Sequence, residues 1–331
     1  MMNAEVAERV LRPLKSTTLK HVSVLLGARI EATKSARISS IISQCAVLDR
    51  LRCRRDAGDL VVTAIDAGVS NFAYCSLQLR KDRKPLLVGW EKFQLESKFV
   101  DGHMDGDKLA LNPENFSRLA TKLSQYLLAL PYATQLYAIE RQRARSMSSK
   151  FVLEPVLRSN ILEYLLFSTL ANAKETGRGT KDYEIISSDP QRMVNYWVTV
   201  GSSNTKYQEL ILDKNSKKYR IALVSDILCN SVHDDWDFGV ELTSIWRRRI
   251  AKAQNKKTSD LKLYTLIENS DTNLGTKKDD DLADSFLHAL MWSKWLNNYE
   301  TLVYEIDNKP FNDFETGVLE LIKNIQIPKI L

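Results

Sequence analysis

Three extended apolar segments succeed one another between residues 58 and 96, and their connections are too short for a crossover. DLVVTAIDAG reads as an apolar strand that ends on Asp66 and Gly68. NFAYCSLQL alternates as a second strand, and KPLLVGWEKFQL reads as a third after the turn-like RKDRK. Parallel neighbours need a crossover of a dozen or more residues, so these three strands form an antiparallel meander. Beyond residue 110 the texture changes. NPENFSRLATKLSQYLLAL is an amphipathic helix started by Asn112 and Pro113, and TQLYAIE is a fourth strand. A long helix over VLEPVLRSNILEYLLFSTLANAKE precedes a fifth strand, YEIISSD. RIALVSDILCN and LADSFLHALMWSKWL read as later helices. Three strands, helix, strand, helix, strand and then helices is the order of a ribonuclease-H-like α/β domain, a mixed five-stranded sheet flanked by helices.

Residues 15–50 read as a small unit ahead of this domain. LKHVSVLLG is a short helix stopped by Gly27, ARIEA is an extended link, and TKSARISSIISQC is a second helix capped by Thr33. Helix, link and helix, with basic residues at the second start, fit a SAP-type DNA-binding motif or a plain helical hairpin packed on the main domain. Residues 1–14 form an N-terminal extension. It is a candidate presequence, although Glu5 and Glu8 match an acid-free targeting helix poorly. The catalytic domain spans 58–331, with polar and basic insertions near 200–218 and 234–260.

Composition narrows the chemistry. The 331 residues carry a net charge of +6, which permits a polyanionic partner without demanding one. Four cysteines without a CxxC pair read as reduced thiols, and the four histidines have no zinc-type spacing. No apolar run approaches the roughly 20 residues of a spanning helix, so no membrane partner is expected.

The acids carry the strongest pattern. Asp66 ends an apolar strand, where a carboxylate costs desolvation energy unless a cation or donor satisfies it. Read alone, it is better explained as a turn cap. Glu140 ends the fourth strand, and Arg141, Arg143 and Arg145 come directly after it. In KKDDDLADS, Asp281 and Asp284 are i,i+3 and Asp280 and Asp284 are i,i+4, so both spacings share one helix face. Their position at a helix start suits its dipole, yet three like charges also repel and a divalent cation would relieve them. Strand-end Asp, strand-end Glu and paired helical Asp are what phosphodiester hydrolysis needs. Two Mg²⁺ ions roughly 3.5–4 Å apart activate a water and stabilise the leaving oxygen. Hard cations take oxygen ligands, which explains carboxylates rather than His or Cys.

Taken together, AIDAGVSNFAYC, AIERQRARS, SDPQRMVNYW and KKDDDLADSFLHALMW resemble the fungal mitochondrial Holliday-junction resolvases, cruciform-cutting endonucleases of the RuvC-like branch of the ribonuclease-H-like superfamily. The resemblance spans residues 58 to about 297, and a SAP-type motif at 15–45 fits some members. It implies Mg²⁺ or Mn²⁺ (two ions per site), a homodimer, four-way DNA junctions as substrate, paired symmetric nicks leaving 5′-phosphate ends, and action on mitochondrial recombination intermediates. It assigns Asp66, Glu140 and Asp284 as metal ligands with Asp280 or Asp281 beside them; both face Asp284 and spacing does not separate them. The extra acid in this chain is Asp279. Arg141, Arg143, Arg145, Lys277 and Lys278 are candidate phosphate contacts beside the scissile bond. The basic run from Arg247, Arg248 and Arg249 to Lys257 is a candidate grip for a duplex arm.

Overall fold

Strand β1 (Leu60–Ala67) lies at the centre of the sheet and explains its own sequence: all but one of its residues are buried, so both faces are apolar. It pairs antiparallel with β2 (Phe72–Leu79), which pairs antiparallel with β3 (Leu86–Phe93). The expected meander is therefore present. On the other side, β4 (Leu136–Glu140) and β5 (Glu184–Ser188) add in parallel. A sixth strand, β6 (Glu241–Leu242), pairs with β3, giving the order β5-β4-β1-β2-β3-β6. The expected sheet had five strands. β6 has two residues and lies in a segment read as an insertion, too short to show any period.

The computed structural model describes residues 4–58, 60–100, 111–142, 154–177, 182–202, 204–212, 216–232, 239–254, 261–267 and 278–308, together with Thr316. Its helices are α1 (Ala4–Leu11), α2 (Ser16–Leu26), α3 (Lys34–Ala57), α4 (Leu95–Phe99), α5 (Pro113–Leu128) and α6 (Glu154–Glu175). Next come α7 (Pro190–Gly201), α8 (Thr205–Leu212), α9 (Ser216–Ser231), α10 (Ser244–Gln254) and α11 (Asp280–Asn308). The segments read as insertions thus hold α8, β6 and α10.

The sheet separates two cores. On one face α5 and α6 cover Ile65, Phe72, Tyr74 and Ile139. On the other, Val62, Ala64, Cys75 and Ala138 pack beneath α11. This helix is apolar nearly all round because it is enclosed by the sheet, α2, α3, α7 and α9. Trp292, Trp295 and Phe286 are almost fully buried, each contributing about 1.5–3 kcal/mol or more.

The N-terminal helices belong to that same core rather than to a separate unit. Thr33 caps α3 as expected, accepting from the Ala36 N–H at 3.2 Å, but α3 runs on to Ala57, since no glycine or proline interrupts it before Gly58. Leu19, Val22, Ile38, Ile41 and Leu48 pack into the α11 core, and so do Val10 and Leu11 of α1. Asn298 donates to the Leu25 carbonyl at 2.8 Å, and Arg55 pairs with Glu300. Gly27 ends α2 at φ +70°, and a Cβ there would lie 2.2 Å from the Trp295 ring. The helix stop and the close approach of α11 both require glycine.

Candidate active site

Register puts the acids together. β1 and β4 are paired through Ile65 and Ile139, so the next step sets Asp66 beside Glu140 at the C-terminal ends of adjacent parallel strands. Across the other edge, Asp66 pairs with Ala73 and Ala73 with Lys92. Residues directly opposite on neighbouring strands share a face. Glu140, Asp66, Ala73 and Lys92 therefore form one row, on the face covered by α11. Ala73, with no side chain beyond Cβ, leaves room between the acid and the lysine.

The start of α11 meets this row. Trp90 Nε1 donates to the Leu282 carbonyl at 3.2 Å and fixes the first turn over the sheet. Asp281 lines a cavity of about 350 Å³ together with Asp66, Glu140, Gln142, Asn71 and Arg158. Its Oδ2 accepts from Lys92 Nζ at 2.6 Å. Asp280 turns instead to Lys217 of α9, at 2.6 Å. Asp284 accepts the fork of Arg220, whose Nη2 lies 3.1 Å from Oδ2. Asp281 thus faces Asp66 and the cavity, whereas Asp280 faces Lys217. The extra acid has a structural place, since Asp279 Oδ1 accepts from the Tyr264 N–H at 2.8 Å and its carbonyl accepts from the Ala283 N–H at 2.9 Å.

Electrostatics mark the same residues. Burial, then the charges of Asp281, Asp284 and Asp280, hold the Asp66 carboxyl well above its ordinary range. Burial likewise raises Asp281 and Asp284 despite Lys92 and Arg220. Asp280 behaves differently: burial opposes, but Lys217 holds it below its ordinary value. Three neighbouring carboxyls with raised values, two of them lining the cleft, mark a candidate functional centre. Oxygen donors under mutual repulsion fit a hard divalent cation. As they stand, with cationic side chains on the helical acids, no three of the described His, Cys, Asp or Glu side chains converge enough to enclose an ion.

Several contributors were not singled out in the sequence. Gln142 Nε2 donates to Asp66 Oδ1 at 3.3 Å, and the Gln142 N–H donates to Glu163 Oε2 of α6 at 2.7 Å. His288, one turn beyond Asp284, is fully buried, and its Nδ1 lies 3.7 Å from Glu140 Oε2. Burial, with Arg220 and Arg192 nearby, holds the imidazole down to about 3, so it is neutral. Lys92 alone left a trace: it comes two residues after Trp90, an inward position of an amphipathic strand.

The expected DNA contacts divide. Arg141 pairs with Asp189, the cap of α7, at 2.8 Å. Lys278 is exposed, while its carbonyl accepts from Lys92 at 2.7 Å. Arg143, Arg145 and Lys277 lie outside the described residues. On α10, Arg247 donates to the carbonyls of Leu242 and Val232, and Arg249 donates to that of Leu266 and lies over the Trp246 ring. Arg248 is the exposed member of the three. Phe72, which follows Asp66 closely, is fully buried against Phe93.

A mixed sheet in this order, with acids on its two central parallel strand ends faced by acids of a buried C-terminal helix, defines a ribonuclease-H-like nuclease domain. The chain belongs to the family described as mitochondrial resolvase Ydc2 / RNA splicing MRS1, whose model matches residues 62–302. It is 39% identical over 323 residues to the mitochondrial cruciform cutting endonuclease 1 of Saccharomyces cerevisiae, covering 94% of this chain and 90% of that one. The Schizosaccharomyces pombe protein of the same description is 23% identical over 242 residues, 71% of this chain and 78% of its own. Among solved structures, the yeast mitochondrial Holliday junction resolvase Ydc2 matches with a TM-score of 0.50 and 19% identity, covering 88% of this chain and 99% of that one.

Proposed function

We propose that this chain is a structure-selective endonuclease that resolves four-way DNA junctions in mitochondrial recombination, by paired symmetric nicks that leave 5′-phosphate ends. The observation that carries this reading is the carboxylate row of Glu140 and Asp66, which shares a cavity with Asp281 of α11 and feels the charge of Asp284, in a chain 39% identical to a cruciform cutting endonuclease. The kinship supplies the junction; the acids alone support phosphodiester hydrolysis.

Asp66, Glu140, Asp281 and Asp284 would hold two divalent cations, Mg²⁺ or Mn²⁺. These supply activation of the attacking water and charge neutralisation at the leaving oxygen. Asp280 supports the helical acids from outside the cleft. Gln142 orients Asp66, and Glu163 fixes Gln142 by its backbone. Neutral His288 stands behind Glu140, within a small movement of donating to it. Arg141 and Lys278 would offer charge to phosphates, and Arg143, Arg145 and Lys277, their neighbours in sequence, would add to it. Arg248 and the N-terminal helices, in a SAP-type role, offer more distant contacts.

Two nicks in opposed strands call for two sites, which a symmetric dimer provides. On α6, Leu157 and Tyr164 are 41% and 75% exposed, apolar surface available to a second copy. Among the described residues no helix is long and apolar enough to cross a membrane.

The family also includes proteins described by RNA splicing, so a junction-binding protein without activity is the second reading, and a nuclease acting on another duplex the third. Labelled four-way junction, linear duplex and RNA–DNA hybrid are incubated with protein in Mg²⁺ or EDTA. Metal-dependent symmetric cuts confined to the junction are expected. Tight junction binding without cutting in Mg²⁺ or Mn²⁺ would establish the second reading, and hybrid cleavage the third.

A further inference from the structure

Each carboxylate at the start of α11 is matched by a cation from elsewhere in the fold. Lys92, its side chain 2% exposed, holds Asp281 and the Lys278 carbonyl together and belongs to the frame. The other two cations share one helix. Lys217 and Arg220 are i,i+3 on α9, and they reach Asp280 and Asp284. Arg220 engages both oxygens of Asp284, with its side chain 10% exposed. Lys217 is 67% exposed and reaches inward only by its ammonium group.

A guanidinium on both Asp284 oxygens competes with any divalent cation for them. Once displaced, Arg220 is a nearly buried charge without its partner, which is costly. It then needs another anion. A phosphate is the anion a guanidinium fork fits best, and a phosphodiester beside this cleft provides one.

We infer that Arg220 and Lys217 are resident counter-ions of the acidic site: they neutralise Asp284 and Asp280 until divalent cations take the carboxylates, and then turn to the phosphates beside the scissile bond. This rests on the metal-dependent reading proposed above. It gives the two residues opposite effects on two ligands, which an ordinary structural ion pair does not.

The test titrates Mn²⁺ into the full chain without DNA, following free Mn²⁺ by electron paramagnetic resonance and the melting temperature in parallel. Wild type, Arg220→Gln, Lys217→Ala and Asp66→Asn are compared. Arg220→Gln is expected to bind Mn²⁺ on the order of tenfold tighter, the scale of one close charge pair. Its Mn²⁺-induced rise in melting temperature is then larger than that of wild type. Lys217→Ala shifts in the same direction by roughly 2–3-fold, because its pair is exposed. In Ca²⁺, junction binding by each variant loses about 0.9 from the log–log salt slope, one phosphate contact.

Mn²⁺ affinity equal to or weaker than wild type in both variants overturns the counter-ion role. Unchanged salt slopes overturn the transfer to phosphate. If Arg220→Gln does not fold, exposed Lys217→Ala decides both points. Absence of Mn²⁺ binding by wild type removes the metal reading and this inference together. Wild-type binding that Asp66→Asn abolishes, with no gain in the other two variants, removes this inference alone.

Discussion

Gln142 Nε2 donates to Asp66 Oδ1 across 3.3 Å, joining the turn after β4 to the end of β1. The same residue is anchored through its N–H to Glu163, so the orientation of Asp66 depends on a helix on the opposite face of the sheet. Groups that orient a ligand typically contribute 10–100-fold to metal affinity or activity. Gln142→Ala is therefore expected to slow junction cutting by about 10–100-fold and to weaken Mn²⁺ binding, with folding intact. Single-turnover cutting across a Mn²⁺ titration measures both; normal rate and affinity would exclude an orienting role.

Asp66→Asn separates chemistry from stability. Cutting is expected to fall by more than about a hundredfold, since a group aimed at the reacting charge is lost, while junction binding persists. Stability moves the other way. A carboxyl raised by folding binds more proton in the folded than in the unfolded chain between its two values. Its contribution is thus fully present below the ordinary 3.8 and is lost as pH rises through the folded value. In EDTA, Asp66→Asn should melt above wild type by ~2 °C, with a gap that widens as pH rises from about 4.5 to 8. Melting curves at several pH values decide it, and a gap that narrows with pH contradicts the burial of a strained charge.

The three arginines of α10 should part company. Arg247 bonds two carbonyls and Arg248 is exposed. Arg247→Ala is expected to cost about 1.5–3 kcal/mol of stability. Arg248→Ala should leave stability within about 0.5 kcal/mol and reduce the salt slope of junction binding by about 0.9 if α10 touches a duplex arm. Denaturant unfolding and anisotropy at several salt concentrations resolve the two; an unchanged slope for Arg248→Ala takes α10 out of the interface.

Gly27→Ala tests whether the N-terminal helices are part of the nuclease core. The new methyl meets Trp295 and a left-handed backbone at once. A loss of more than about 2 kcal/mol is expected, from overpacking and backbone strain together. The loss should appear as a single unfolding transition of the whole chain. A separate early transition, with the nuclease domain melting unchanged, would show two independent units.

Much of the fold was legible because its elements have strong periods. The β1 to β3 meander came from three apolar runs with short connections, and α5 from its capped amphipathic pattern. Less regular pieces were not. β6 is two residues long, and α3 overran its expected end because no glycine or proline stops it before Gly58. For the N-terminal helices the sequence left open a DNA-binding motif or a hairpin packed on the main domain, because a local pattern does not reveal contacts with α11, some 250 residues away along the chain.

For the site, the chain alone determined which carboxylates stand at strand ends and at a helix start, because these depend on local period and spacing. It left Asp280 and Asp281 equivalent, since both share a helix face with Asp284. Tertiary structure gave them different partners: Lys217 of α9 holds Asp280, while Lys92, in register with Ala73 and Asp66, holds Asp281 at the cleft. It also supplied Gln142, Arg220 and His288. Their roles depend on distances between elements far apart in sequence, which the β1–β4 pairing and α6 set for Gln142 and the packing of α9 and α11 against the sheet sets for the other two.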